Sequence, residues 1–193
     1  MGFTYLGLAI AALGFLQSLA ASPITYVETG QLSGTLGTSG LNNVAFTFTF
    51  SGDTNNITGA GTGANPFLNE AISNSLTIGV SKGSFLPVID VGVNNVLGQI
   101  GVTDPALTDG ITFTSAGAIG YDLVTPISVS SSSAYFAGGS LATTLGTLTI
   151  SSAQNLTFTV AAPEPATGIL SVFTLLGLVL VCVRTTKSRL DEC

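Results

Sequence analysis

Apolar and polar residues alternate with a period of two along the middle of this chain, between Ala21 and Ala162. The alternation is clearest over Val44–Ser51, where Val and Phe alternate with Ala, Thr and Ser, and over Leu156–Val160. Such a pattern places apolar side chains on one face of a β-strand and hydroxyl groups on the other. Short strands of this kind, separated by turn residues, predict an all-β fold, a sandwich or jelly-roll-like domain.

The same pattern gives the bounds of ten predicted strands. They are Thr25–Leu36, Asn43–Ser51, Ser75–Lys82, Pro87–Val93, Val96–Val102, Ile111–Ser115, Ile119–Leu123, Ile127–Phe136, Thr144–Ser151 and Asn155–Ala161. Asn94-Asn95, between two Val-rich runs, predicts a two-residue hairpin turn. The one segment that could form a short helix is Asn65–Ser73, with Pro66 in its first turn and Asn74 at its end.

The charges in this middle segment are few and almost all negative. Only 7% of the whole chain is Asp, Glu, Lys or Arg, and there is no His and no Trp. Between Ala21 and Ala162 the single base is Lys82, against seven acids, which gives a formal net charge of −6. A segment with one cation cannot neutralise a phosphate backbone, which argues against nucleic acid as a partner. An acidic surface rich in Ser and Thr is typical of a protein that stays soluble outside the cell.

Residues 1–20 have the pattern of a secretory signal peptide. Leu6–Leu16 is a continuous apolar stretch of the length usual for the central region of such a signal. Small residues at Ser18 and Ala20 occupy the −3 and −1 positions, so we predict cleavage by signal peptidase between Ala20 and Ala21. Because no Lys or Arg precedes the apolar stretch, an uncleaved N-terminal anchor or a buried helix is the alternative.

The C-terminal end contains a second apolar stretch, Ala166–Val183, which is eighteen residues long and carries no charge. As a helix it would extend about 27 Å, close to the thickness of the hydrocarbon core of a membrane. Arg184, Lys187 and Arg189 follow it at once, and basic residues of this kind remain on the cytoplasmic side. We therefore predict a transmembrane helix over residues 166–183, a basic tail over 184–193 and an extracytoplasmic domain over 21–162.

Pro163-Glu164-Pro165 stands directly before the predicted helix, and its two prolines exclude a helix or strand through this point. Pro-Glu-Pro, an apolar helix and an Arg-containing cluster, in this order over residues 163–193, resemble the PEP-CTERM sorting signal of Gram-negative bacteria. The resemblance implies recognition of Pro163, Glu164 and Pro165 by exosortase, a membrane cysteine protease, and removal of the anchor. The tail departs from the family pattern in continuing through Leu190–Cys193. The alternative is an ordinary single-pass anchor with a Pro-rich hinge.

The middle of the chain lacks the residues on which most catalytic and metal sites depend. There is no His to act as base or ligand, and both cysteines, Cys182 and Cys193, lie in the tail. We therefore predict no catalytic residue, no metal and no cofactor. Two loops carry oxygen ligands of the kind that Ca²⁺ prefers, Asp53–Asn56 and Asp104 with Asp109, but neither matches a known calcium loop. Asp53 is interpreted first as a turn former.

Three functions follow as hypotheses. The first is a non-enzymatic surface or extracellular-matrix protein, exported, anchored transiently in the inner membrane through its C-terminal helix, then released or attached outside. The second is a carbohydrate-binding module that holds exopolysaccharide through hydroxyls, Asn side chains and Tyr26, Tyr121 or Tyr135. The third is a small hydrolase that uses two carboxylates. The acids available to it are Glu28, Asp53, Glu70, Asp90, Asp104, Asp109 and Asp122.

Overall fold

The computed structural model describes residues 23–161, which form an all-β domain. These residues contain twelve strands and two single-turn 3₁₀ helices, the latter at Thr54–Asn56 and Ala116–Ala118. The strands are β1 (Pro23–Leu36), β2 (Ser39–Asp53), β3 (Phe67–Glu70), β4 (Ser73–Ile78), β5 (Ser81–Gly83), β6 (Asp90–Asn94), β7 (Gln99–Thr103), β8 (Gly110–Thr114), β9 (Ile127–Ser133), β10 (Phe136–Gly138), β11 (Ser140–Thr143) and β12 (Gly146–Ala161).

The strands form two antiparallel sheets that pack as a sandwich. One sheet has seven strands in the order β11-β12-β1-β2-β4-β5, with β9 also paired to β12. The other has five strands in the order β10-β8-β7-β6-β3. The prediction of an all-β, sandwich-like fold is therefore confirmed for the described residues.

Alternate residues of the long strands β1, β2 and β12 supply much of the core between the sheets. Tyr26, Phe48 and Phe158 have no solvent exposure, and the rings of Tyr26 and Phe158 lie 6.1 Å apart between centroids. Phe113 and Ile100 of the five-stranded sheet are equally buried. The period of two over Val44–Ser51 and Leu156–Val160 thus places their apolar residues inside, as predicted.

Strand β12 joins two segments that the sequence pattern separates. The predicted strands Thr144–Ser151 and Asn155–Ala161 are one continuous strand, Gly146–Ala161. Its register against β1 shifts between Thr29 and Gln31, and Asn155 adopts a left-handed conformation with φ of 52°. A β-bulge therefore interrupts the alternation without ending the strand, which is why the pattern alone divides it.

Two predicted elements are wrong. Asn65–Ser73 contains no helix; Phe67–Glu70 is strand β3, which pairs with β6. Ile119–Leu123 is not a strand but part of the loop that follows the Ala116–Ala118 helix. In both cases tertiary packing overrides the preference of the local sequence. Asn69 is buried on the inner face of strand β3, and Leu123, which lies in a loop and has φ of 68°, has its side chain in the core.

The hairpin predicted at Asn94-Asn95 exists, but its turn is longer than predicted. Asn94 pairs with Gln99, so residues 95–98 form a four-residue connection between β6 and β7. The Asn94 side-chain oxygen accepts a hydrogen bond from the Leu97 amide at 3.2 Å, and Gly98 has φ of 65°. Asn94 therefore ends the strand and shapes the turn without lying at its tip.

The two predicted targeting segments fall outside the described residues. The signal peptide at 1–20 precedes Pro23, and the sorting signal at 163–193, with its helix at 166–183 and its tail at 184–193, follows Ala161. Within residues 23–161, none of the helices has the length and hydropathy needed to cross a membrane. The targeting assignments accordingly stay predictions from the sequence.

Candidate functional site

The outer face of the five-stranded sheet carries a row of register partners that crosses all five strands. Leu68, Gly92, Gly101, Thr112 and Phe136 lie opposite one another in turn on β3, β6, β7, β8 and β10. Their immediate neighbours along the central strands point inward, so this row faces away from the core. Because two adjacent members are glycines, the middle of the face lacks side chains and is lower than its two ends.

A cleft of about 260 Å³ lies over this row. Its apolar wall consists of Pro66, Leu68, Leu107, Tyr135 and Phe136. Tyr135 and Phe136 are 68% and 37% exposed, so two rings border the cleft with large parts of their surface free of protein contact. We call this site the aromatic cleft.

Polar groups line the other parts of the aromatic cleft, among them Asn94, Gln99, Thr103 and Thr112. The Asn94 amide nitrogen donates to the Gln99 side-chain oxygen at 3.4 Å, so these two lining amides are paired with each other. None of the described residues that line it is charged. The combination of exposed rings with amides and hydroxyls is typical of sites for polar, uncharged ligands with apolar faces.

Of the three tyrosines named as candidate sugar contacts, only Tyr135 lies at the surface. Its backbone amide donates to the Thr112 carbonyl at 2.8 Å, which fixes the Tyr135 backbone beside the cleft. Tyr121 is 5% exposed, and its hydroxyl donates to the Thr125 carbonyl at 2.9 Å. Burial, assisted by the nearby Tyr26 and Asp122, raises the Tyr121 pKa above its usual range.

Tyr26 is part of the core and takes no part in the surface. Its hydroxyl donates to the Leu123 carbonyl at 3.0 Å and accepts from the Asn69 amide at 2.7 Å. Burial raises the pKa of Tyr26 to about 12. Tyr26 and Tyr121 are therefore structural, because a ligand could reach neither ring without opening the domain.

A second cavity, also of about 260 Å³, lies at the edge of the same sheet face. It is lined by Asn56, Thr58, Leu68, Glu70, Ile72 and Asp90. Glu70 on β3 and Asp90 on β6 are direct register partners. Asp90 is 7% exposed, and burial, together with the charges of Glu70 and Asp104, raises the pKa of its carboxyl. We call this site the acidic cavity.

The loops considered as calcium sites have another explanation in the structure. Asp104 accepts hydrogen bonds from the Thr108 amide at 2.6 Å and the Asp109 amide at 2.8 Å. Slight burial raises the Asp104 pKa, but these bonds outweigh it and hold the pKa below its usual value. Asp53 accepts from the Asn55 amide at 2.9 Å and caps a 3₁₀ helix. Both carboxylates are turn formers, as the interpretation of Asp53 predicted.

Across residues 23–161, no group of three or more His, Cys, Asp or Glu side chains is arranged to bind a metal ion. The acidic cavity has two carboxylates, and its other oxygens belong to neutral side chains. In the third hypothesis, a hydrolase, the same two acids, Glu70 and Asp90, would be the candidate catalytic pair. Glycosidase carboxylates flank the scissile bond, whereas Glu70 and Asp90 project side by side from neighbouring strands. The hydrolase stays a hypothesis without geometric support.

Sequence reasoning did not single out Glu28, the most deeply buried acid. It has no solvent exposure, and neither carboxyl oxygen has a hydrogen-bond partner. Burial raises its pKa well above the usual range, and the opposing effect of the Val102 backbone is the smaller of the two. The available signal was its position: Ile24, Tyr26 and Glu28 are alternate residues on the inner face of β1.

The predicted processing residues all fall outside the described part of the chain. They are Ala20, Ala21, Pro163, Glu164, Pro165, Arg184, Lys187 and Arg189. Comparison with protein-family models, with curated proteins and with solved structures found no match.

Proposed function

We propose that this protein is an exported, non-enzymatic surface or matrix protein that a C-terminal sorting signal first anchors and then releases. The observation that carries the proposal is the order of elements in the sequence: Pro163-Glu164-Pro165, an uncharged stretch of eighteen residues, then three basic residues. Such a stretch is more stable in a membrane than in water, and the basic residues hold its end in the cytoplasm. The acidic β-sandwich is then the part that remains outside.

The test is intact mass spectrometry of the native protein combined with cell fractionation, in cells with and without exosortase. With the enzyme, we expect a product that begins at Ala21 and ends near Pro163–Pro165, recovered outside the inner membrane. Without it, the tail is retained and the protein stays in the inner-membrane fraction.

A matched pair of variants sharpens this test. Replacement of Pro163, Glu164 and Pro165 by Ala should reproduce the exosortase-free result, whereas Pro126→Ala, in an exposed loop of the sandwich, should be processed normally. A full-length product with its tail intact that is freely soluble without detergent would overturn the proposal.

A second candidate function, binding of a neutral polysaccharide, is favoured by the aromatic cleft. The exposed face of Tyr135 and the adjacent Phe136 can stack against the apolar face of a sugar ring, while Gln99 and Thr112 offer hydrogen bonds to its hydroxyls. The low glycine floor leaves space for an extended chain. Uncharged glycans fit best, because no described residue of the cleft supplies a cation to pair with an acidic sugar.

Affinity electrophoresis through gels that contain neutral polysaccharides tests this candidate. We expect the wild-type protein to be retarded and Tyr135→Ala to migrate as in a gel without polysaccharide. Ile119→Ala is the control, because Ile119 has a comparable exposure of 61% and does not line the aromatic cleft. Equal retardation of both variants, or no retardation in any gel, would exclude the cleft as a glycan site.

A further inference from the structure

The acidic cavity brings two negative charges together without a positive one. Glu70 and Asp90 face each other on neighbouring strands, a placement that puts side chains of a register pair about 5 Å apart at Cβ. Like charges in such a pair destabilise a sheet. The one base among residues 23–161 is Lys82, which lies on β5 of the other sheet. The described part of the chain, residues 23–161, therefore supplies no counter-charge to this pair.

Asp90 is, in addition, largely buried at the wall of this cavity. Only 7% of the residue is exposed, its side chain lines the cavity, and no described residue donates a hydrogen bond to it. This is unlike Asp104 and Asp53, whose carboxylates accept hydrogen bonds from backbone amides. The Asp90 oxygens are thus left to the solvent of the cavity, where a bound cation would supply the contacts that the described residues do not.

The remaining walls supply neutral oxygen ligands. Asn56 is the last residue of the 3₁₀ helix capped by Asp53, and Thr58 is bridged to Leu68 through backbone hydrogen bonds of 2.9 and 3.0 Å. The bridge fixes the position of Thr58 relative to β3. The cavity volume of about 260 Å³ accommodates an ion with several water molecules, each of which occupies about 30 Å³ in the liquid.

We propose that Glu70 and Asp90, with oxygens of Asn56 and Thr58, bind one Ca²⁺ ion. All the available donors are oxygens, the ligands that hard cations prefer, and the chain has no His. Ca²⁺ tolerates irregular coordination and additional water ligands, whereas Mg²⁺ requires near-octahedral geometry and loses its water reluctantly. With two carboxylates the expected dissociation constant is about 10⁻⁴–10⁻³ M, the range of extracellular calcium modules.

The bound ion would connect the loop that contains Asn56 and Thr58 to strands β3 and β6 at this edge of the sheet. It would neutralise the repulsion between β3 and β6 and hold the segment that contains Asn56 and Thr58 against them. Calcium binding should therefore raise the unfolding temperature with increasing ion concentration, as for any ligand that binds only the folded state.

Isothermal titration calorimetry of the unprocessed full chain in a neutral detergent, with CaCl₂ as the probe, tests the proposal. We expect one site in the wild-type protein, and binding weakened about tenfold or more in Glu70→Gln and in Asp90→Asn. Asp122→Asn is the matched control, because it removes one exposed carboxylate whose oxygen accepts from the Val124 amide at 3.1 Å. It should bind Ca²⁺ like the wild type.

Three results would overturn the site. The first is no binding and no rise in unfolding temperature up to about 10 mM CaCl₂. The second is an equal loss in Asp122→Asn, which would indicate diffuse attraction to an acidic surface. The third is stabilisation by Asp90→Asn with no calcium response in the wild type, which would indicate a shared proton between the two acids. Because the unprocessed chain is used, none of these results depends on the proposed export.

Discussion

The outer faces of the two sheets use different side chains and leave different groups free. On the seven-stranded sheet, Thr29 pairs with Thr47 on one side and Thr157 on the other, so hydroxyls lie beside hydroxyls. Such neighbours bond to one another: Ser128 and Thr159 are 3.4 Å apart between side-chain oxygens. On the five-stranded sheet the corresponding face holds glycines, two acids and exposed rings.

This difference separates a solvated face from a candidate binding face. A hydroxyl that already bonds to its neighbour, and to water on its other side, gains little from a ligand. The Asp90 side chain at the wall of its cavity and the exposed ring of Tyr135 both have surface that a ligand would cover. The candidate sites for calcium and for polysaccharide therefore lie on the same sheet, and the other sheet presents a hydroxyl-rich outer face.

The largest effect on stability is expected from substitutions in the glycine row of the five-stranded sheet. We expect Gly101→Ala to lower the free energy of unfolding by about 3 kcal/mol or more, because a Cβ at this position would overlap the Ile111 carbonyl oxygen. The neighbouring backbone belongs to a paired strand and cannot move aside locally. Urea unfolding followed by circular dichroism measures the change.

Gly92→Ala in the same row is the control. A Cβ there would lie 3.1 Å from the Leu68 Cδ2 atom, the end of a flexible side chain that can rotate away. We expect a loss below about 1 kcal/mol. Equal losses in both variants would mean that close strand approach is not what requires glycine at position 101.

Glu28 is the exception on the inner side of the seven-stranded sheet and should have the next largest effect. We expect Glu28→Met to raise the free energy of unfolding at neutral pH by about 1–3 kcal/mol, because it removes a buried polar group without a partner. Glu28→Gln is the companion variant, since it keeps a polar group and removes the ionisation.

The pH dependence of stability has a definite sign at Glu28. Its pKa in the folded state lies well above the usual value of 4.5, so the unfolded chain releases this proton at lower pH than the folded domain. Stability is therefore fully present below pH 4.5 and falls as the pH rises toward the folded pKa. Urea midpoints over this pH range should fall for the wild type and less so for Glu28→Gln. Parallel profiles would contradict the assignment.

Asp90 should show a smaller effect in the same direction. In calcium-free buffer at neutral pH we expect Asp90→Asn to stabilise the domain by about 0.2–1 kcal/mol, because it ends the repulsion across the pair with Glu70. The raised pKa of Asp90 has the same sign, so the gain appears only above the ordinary pKa of 3.8. Destabilisation by Asp90→Asn without calcium would show that the carboxylate makes a favourable contact.

The sequence predicts the fold class because the long strands alternate cleanly, but it misplaces boundaries where single residues reverse the backbone. Gly79, with φ of 59°, separates β4 from β5 within the predicted strand Ser75–Lys82. Asn155 has a similar φ yet leaves β12 continuous, because a bulge opposite β1 absorbs it. Whether such a residue ends a strand depends on the pairing of its neighbours, and no local pattern contains that information.

The candidate site is less predictable, because it is assembled from strands distant in the sequence. Glu70 and Asp90 become partners only through the pairing of β3 with β6. Strand β3 lies within Asn65–Ser73, the segment for which the sequence predicts a helix. Composition alone cannot distinguish the exposed ring of Tyr135 from the buried rings of Tyr26 and Tyr121. Period-two alternation would have placed Tyr26 and Glu28 inside together.

The smallest effect on stability is expected at Tyr135, where the comparison of the two faces becomes sharpest. With 68% of its surface exposed and its backbone bonded to Thr112, Tyr135→Ala should change the free energy of unfolding by less than about 0.5 kcal/mol. If the five-stranded face binds glycan, the same variant should lose retardation in polysaccharide gels. Loss of binding with unchanged stability would separate a binding residue from a structural one, whereas a large loss of stability would place Tyr135 among the groups that hold β10 to the sheet.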